Sequence, residues 1–178
     1  EKGDFSGSAA VEKEIQAQLP QPKKLFLLSE KCPKFKESLS GVTKLVTFFK
    51  QSGLNKTLKT TLKQAVPTRW NSNLIMLESY QASRNEVQQV LKDRKQLEKI
   101  RTVDEDAVDQ LIEILKPFRD CTDFLSGDSY PTIQAVLPWI KHLYKHVEQS
   151  LQDESETVFL KSQIKICMEE YLVIKDVH

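Results

Sequence analysis

The stretch PKFKESLSGVTKLVTFFKQS, Pro33 to Ser52, decides the fold class. Phe35, Leu39, Val42, Val46 and Phe49 follow one another at spacings of 4, 3, 4 and 3. Those intervals gather the apolar side chains on one face of an α-helix and do not alternate as a half-buried strand would. Gly53 follows as a C-terminal glycine, able to take the left-handed conformation that stops a helix.

The same period continues downstream. Leu54, Leu58 and Leu62 stand at i, i+4 and i+8, which predicts a second, short helix over 54–64. On that helix Lys56, Lys59 and Lys63 fall within about 60° of one another on the far side, at roughly 100° per residue. Pro67 breaks the chain. A third helix is expected over 70–81, with Leu74 and Leu77 inward and Ile75 and Met76 widening its apolar arc. Ser83 and Glu86 have capping-box spacing and predict a fresh start, with Val87, Val90 and Leu91 inward and the charged run 92–101 as a continuation carrying Leu97 and Ile100.

Thr102 and Glu105 repeat that spacing. Asp104, Glu105, Asp106 and Asp109 fill the first turns, where the helix dipole favours negative charge. Val108, Leu111, Ile112, Leu115, Phe118 and Leu125 form the stripe of that helix, Pro117 should kink it and Gly127 closes it. Ser129, Tyr130 and Pro131 open another helix to about Leu151, lined by Ile133, Val136, Leu137, Ile140, Leu143, Tyr144 and Val147, with Pro138 inside. A last helix is expected over 154–174, with Val158, Ile164, Cys167, Met168, Tyr171 and Leu172. Upstream, Ala9 to Leu19 suits a short helix ended by Pro20 and Pro22. The reading is all-α: an array of about six or seven amphipathic helices. Residues 1–30 read as an N-terminal extension and 31–178 as a helical domain. The start, EKGDFSGSAA, lacks the apolar core of a signal peptide and reads as the edge of a longer chain.

Composition supports this. Of 178 residues 39% are hydrophobic and 29% charged, a soluble balance, and only 5 Gly and 7 Pro leave too few turn formers for a sandwich or barrel. No apolar run is long enough to span a membrane. Cys32, Cys121 and Cys167 are odd in number and widely spaced, so they form no disulfide framework and suit a reducing compartment. The net charge of +1 conceals a polarity. Residues 21–72 hold eleven Lys and Arg against two acids, whereas residues 73–178 hold thirteen against nineteen. The front of the domain is basic and the rear acidic.

Few constellations point to chemistry. The acids at 104–109 lack the glycine turn of a calcium loop and serve a helix start. His142 and His146 have the i, i+4 spacing of a zinc-chelating face, but Leu143 stands where a metalloprotease needs Glu, and Lys141 and Lys145 oppose a cation. No phosphate-binding glycine loop, nucleophile elbow or Cys/His pair is present, so no catalytic residue, metal or cofactor is assigned to this chain. The basic front is the better candidate. Lys56, Lys59 and Lys63, with Arg69 and Trp70 after the proline break, offer cations for phosphates and a ring that can stack on an unpaired base. The alternatives are lysines that only solvate a helix and a tryptophan that anchors the core.

The segment PTRWNSNLIMLE, residues 67–78, resembles the signature of the hobo–Activator–Tam (hAT) transposase family, a rare Trp in a fixed polar frame followed by Met–Leu. KLVTFFKQSGL at 44–54 is similar to the helix that precedes that signature. LKPFRDCTDFLSG at 115–127 with YPTIQAVLP at 130–138 is similar to the stretch that follows it, with Cys121 where the pattern has Ala. The resemblance covers roughly residues 34–146. It implies the helical insertion of an RNase-H-like nuclease whose three DDE acids lie outside this chain, as does the BED zinc finger common in such proteins. It also implies a nuclear protein, either a transposase or a domesticated relative, with Trp70 and Arg69 near DNA during hairpin formation. The expected partner is DNA, bound weakly and in a salt-dependent way through Lys56, Lys59, Lys63, Arg69 and Trp70. The rival expectation is a domesticated scaffold in transcription or chromatin, whose acidic rear helices meet a nuclear protein or a second copy.

Overall fold

In a computed structural model, residues 31–66, 69, 71–127 and 133–171 are described, and every regular element among them is helical. Five α-helices follow in order: α1 Pro33–Gln51, α2 Ser72–Asp93, α3 Glu105–Leu125, α4 Ile133–His146 and α5 Ser155–Tyr171. Two short 3₁₀ turns, Leu54–Thr57 and Leu97–Ile100, lie in the connections. None of the helices is long and apolar enough to cross a membrane. The expected helix over 9–19 lies outside the described residues.

Helix α1 buries Phe35, Val42, Leu45, Val46 and Phe49, as its spacing requires, with Leu39 half-buried at the edge. Its N-terminus has no acid in its first turn and no side-chain cap from Cys32. The missing cap arrives from the far end of the sequence: Glu156 of α5 accepts the Lys34 backbone N–H at 3.1 Å, satisfying one of the orphan donors every helix start leaves. Glu154 pairs with the Lys34 ammonium at 3.1 Å.

Two hydrophobic clusters result. The larger joins α1, α2 and the first half of α3 around Phe35, Phe49, Leu74, Met76, Tyr80 and Leu91. The smaller joins the second half of α3 to α4 and α5 through Ile114, Cys121, Leu143, Val147, Ile164 and Met168. Leu160 packs against both. Polar side chains zip α2 to α3 beside the larger core. Arg84 meets Asp109 at 2.6 Å and Glu105 at 3.4 Å, Gln81 also reaches Asp109, Gln88 reaches Glu105, and Arg119 pairs with Glu78.

The connection into α3 runs across α1. A Cβ on Gly41 would come within 2.8 Å of Val103 Cγ2 and 2.9 Å of Thr102 Oγ1, so glycine is what lets the two segments touch. Ser38, also buried, accepts the Asp104 N–H at 3.1 Å, and Asp104 in turn caps α3 by accepting from Ala107. The N-cap of α3 is therefore Asp104, two residues past Thr102 of the expected capping box, because its carboxylate reaches the orphan donor directly.

Several expectations are corrected. Helices expected over 70–81 and from Ser83 are one continuous helix, α2, and the segment 54–64 is not a helix beyond its 3₁₀ turn. Both changes lower the count below six or seven for the described residues. Helix α2 stops at Asp93 rather than running through the charged stretch, because Lys95 takes a left-handed φ of 56° and Gln96 N–H bonds back to Leu91. Ile75 and Leu137, expected inside, are 39% and 53% exposed. Helix α4 ends at His146, not near Leu151.

Candidate nucleic-acid interface

The predicted site residues do not share a helix face. After Gly53, whose φ of +74° ends α1, Leu54–Thr57 makes one 3₁₀ turn and Leu58 is extended. From there to Val66 the chain has no regular backbone ladder, so its polar groups need other partners. Helix α2 supplies them from one face. The Glu86 carboxylate accepts the Lys59 N–H at 2.8 Å. The Ser83 hydroxyl donates to the Thr60 carbonyl at 2.7 Å. The Ser79 hydroxyl accepts the Lys63 N–H at 2.8 Å. The Ser72 hydroxyl accepts the Val66 N–H at 2.8 Å and has the carbonyls of Val66 and Arg69 within reach of its own proton. Partner numbers fall along α2 as they rise along the other segment, so residues 58–66 form a strap laid antiparallel to the helix.

Asn55 closes the near end of the strap. Its side-chain amide donates to the Leu62 carbonyl at 3.2 Å and accepts the Leu62 N–H at 2.8 Å. Leu58 and Leu62 turn inward and are 5% and 1% exposed, packed in the larger core. The strap is thus fixed by buried leucines on one side and by side-chain-to-backbone hydrogen bonds along its length.

Lys59 and Lys63 follow the two buried leucines and are exposed, as are Lys56 on the 3₁₀ turn and Arg69 before α2. None of these four cations takes part in an ion pair among the described residues, whereas Lys34, Arg84, Arg119 and Lys161 are each paired with acids. Among the described residues the Glu86 carboxylate is the one acid bonded to the strap, and it is engaged by backbone rather than by a lysine head. The common helical face expected for Lys56, Lys59 and Lys63 is replaced by an extended edge, on which Lys59 and Lys63 stand roughly 10 Å apart, judged from the seven-residue rise between Ser79 and Glu86 on α2. Trp70 lies outside the described residues.

The residues that build this edge, Ser72, Ser79, Ser83 and Glu86, were missed as a set. Their spacings of 7, 4 and 3 place them on one helical face, a signal that was in the sequence but read there as a helix start.

Other candidate chemistry is taken up by structure. The acids of the α3 start cap the helix or bind Arg84. His142 packs edge-on against Trp139 at 5.5 Å, and no group of three metal-binding side chains occurs among the described residues. Burial pushes the thiols of Cys32, Cys121 and Cys167 up, with help from Glu156 at Cys32 and Glu170 at Cys167, away from the thiolate form a nucleophile needs. Burial likewise raises the Tyr80 phenol to about 12, aided by Glu105, and its hydroxyl has no hydrogen-bond partner among the described residues.

No family model matches the chain. Over 114 residues it is 32% identical to the Transposable element Hobo transposase of Drosophila melanogaster. The match takes in 64% of this chain but 17% of that protein, so the chain spans about a sixth of the length of this relative.

Proposed function

We propose, starting from the 32% identity to a Hobo transposase over 114 residues, that this chain is a helical, non-catalytic region of a hAT-type nuclear protein that holds DNA beside a nuclease core lying outside the chain. The strap is the contact edge. Lys56, Lys59 and Lys63 neutralise phosphates, Arg69 adds a planar cation, and Trp70 offers a ring on which an unpaired base stacks. A single observation supports this reading above others: four exposed cations, none in an ion pair among the described residues, sit on and beside a segment secured by side-chain hydrogen bonds and buried leucines. A cation on a fixed backbone adds no cost of ordering the loop on meeting a phosphate, whereas cations already paired within the fold have to exchange one partner for another.

Gel-shift titration of the chain with a duplex carrying a frayed or hairpin end tests the reading. Binding is expected to be weak, to fall steeply with added salt, and to be lost at low salt when Lys56, Lys59 and Lys63 are together changed to Glu. Trp70→Ala should weaken binding to the distorted end more than to plain duplex. Unaltered binding by the triple variant, with its helical circular dichroism intact, removes the assignment.

A protein-interaction scaffold, as in a domesticated relative acting in transcription or chromatin, is the second reading. It is favoured by apolar side chains left exposed on the rear helices, Leu137 on α4 and Ile166 on α5. A stable dimer in light scattering, combined with no DNA shift, selects it.

A further inference from the structure

Helix α2 carries a second exposed surface, away from the strap. Asn85, Gln89 and Lys92 lie roughly 120° around the helix from Ser79, Ser83 and Glu86, at about 100° per residue. With Leu97 and Ile100 of the following 3₁₀ turn and Arg101 just after it they line a groove. Its floor is aliphatic: Leu97 is 47% exposed and Ile100 half-buried. Lys92 and Arg101 are exposed at its rim and have no ion pair among the described residues. They belong to the run 92–101, which holds five basic residues against Asp93 and Glu98. Asp93 is engaged by the Gln89 amide at 2.8 Å, and the Lys99 ammonium lies 4.4 Å from the Phe48 ring centroid.

We propose that this groove binds an extended acidic peptide segment with alternating aliphatic residues, supplied by another protein. Leu97 and Ile100 would take the aliphatic side chains, Lys92 and Arg101 the carboxylates, and the Asn85 amide the peptide backbone. Three features favour a peptide over nucleic acid. No aromatic ring lines the groove to stack a base. The floor offers aliphatic surface, which suits a Leu or Ile side chain and not a phosphate. Glu98 lies among the lining residues, where it would repel a continuous row of phosphates but leave room for a carboxylate at each rim cation. The site is independent of DNA contact at the strap, so either can fail alone.

Fluorescence anisotropy with the whole 178-residue chain tests this. The probes are a labelled ten-residue peptide of alternating Glu and Leu, its Lys–Leu counterpart, and a single-stranded oligonucleotide. The Glu–Leu peptide is expected to bind, with affinity reduced at least tenfold by Lys92→Glu with Arg101→Glu and also by Leu97→Asp. Lys165→Glu, an exposed charge change on α5, should leave binding unaltered. Equal binding of the Lys–Leu peptide, or equal loss with Lys165→Glu, reduces the effect to nonspecific attraction and overturns the proposal. Displacement of the peptide by the oligonucleotide, with binding of both lost in the same variants, overturns it in favour of a nucleic-acid groove.

Discussion

The chain leaves α1 and α2 by the same left-handed step, taken by different residues. Gly53 follows α1 at φ +74°, and Lys95 follows α2 at φ +56°. Their N–H groups bond back to Lys50 and Lys92, three residues earlier in each case. What comes next differs. After Lys95 the connection is short, makes a 3₁₀ turn and docks on the small residues Ser38 and Gly41 of α1. After Gly53 it is long and mostly irregular, and it docks on Ser72, Ser79 and Ser83 of α2. In both, a helix face made of small residues chooses the path of a loop. The difference is in how the loop is secured. The first relies on close van der Waals approach and one capping bond, the second on a row of side-chain hydrogen bonds and two inserted leucines.

That contrast can be broken most severely at the leucines. Leu62→Ala removes a side chain that is 1% exposed and should cost about 3 kcal/mol in urea unfolding, within the range for buried leucine truncation. It should also release the backbone amides of the strap to hydrogen exchange. Gly41→Ala tests the other connection. The new methyl must displace Val103 and Thr102 side-chain atoms from under 3.0 Å, and about 1–2 kcal/mol of overpacking should outweigh the helix propensity gained. A neutral or stabilised Gly41→Ala protein would show that the 101–104 segment yields freely and that its docking is not specified by glycine.

Ser79→Ala and Ser83→Ala come next, at about 1 kcal/mol each, the net value of one protein hydrogen bond. The effect should be small because water can reach the strap backbone at its outer edge. The decisive readout is local. Strap amides should exchange faster, while amides of α3 keep their protection. If the strap cations act in DNA binding because they are held in place, the double variant should bind DNA more weakly with every lysine still present.

These residues also mark where the sequence stopped being legible. The stripes of α1 and α3 could be read because a spacing of 3 and 4 has one meaning over several turns. Leu54, Leu58 and Leu62 are separated by four, and four fits both a helical period and the two-residue period of extended chain. The same pattern therefore described a helix that is absent and a strap that is present. Ser83 and Glu86 misled for a related reason. A capping box uses its hydroxyl and carboxylate along the helix axis, whereas here both groups point sideways to Thr60 and Lys59. Only the tertiary partner distinguishes the two uses. Of the candidate site, the cations and their exposure were foreseeable from charge alone, but not the extended edge that carries them, since the serines that impose it lie up to 23 residues away in sequence.

The smallest expected effect returns to the two helix ends. A non-glycine residue in the left-handed region suffers contact between Cβ and its own backbone that glycine avoids. Lys95 bears that strain within a Schellman closure, its own N–H bonded to Lys92 and the Gln96 N–H bonded to Leu91 at 2.8 Å. Lys95→Gly should therefore stabilise the fold by about 0.5–1 kcal/mol, the relief of strain exceeding the added freedom of the unfolded chain and the lost cation at the helix C-terminus. Gly53→Ala should move stability by a similar amount in the opposite direction. No atom lies within 4 Å of a Cβ built on Gly53, so any loss there reports backbone conformation and not crowding. Thermal melts of the two variants side by side measure the same step from both directions. If Lys95→Gly fails to stabilise while Gly53→Ala still destabilises, then the Lys95 side chain makes a compensating interaction of its own, and the basic rim beside Lys92 is where to look for it.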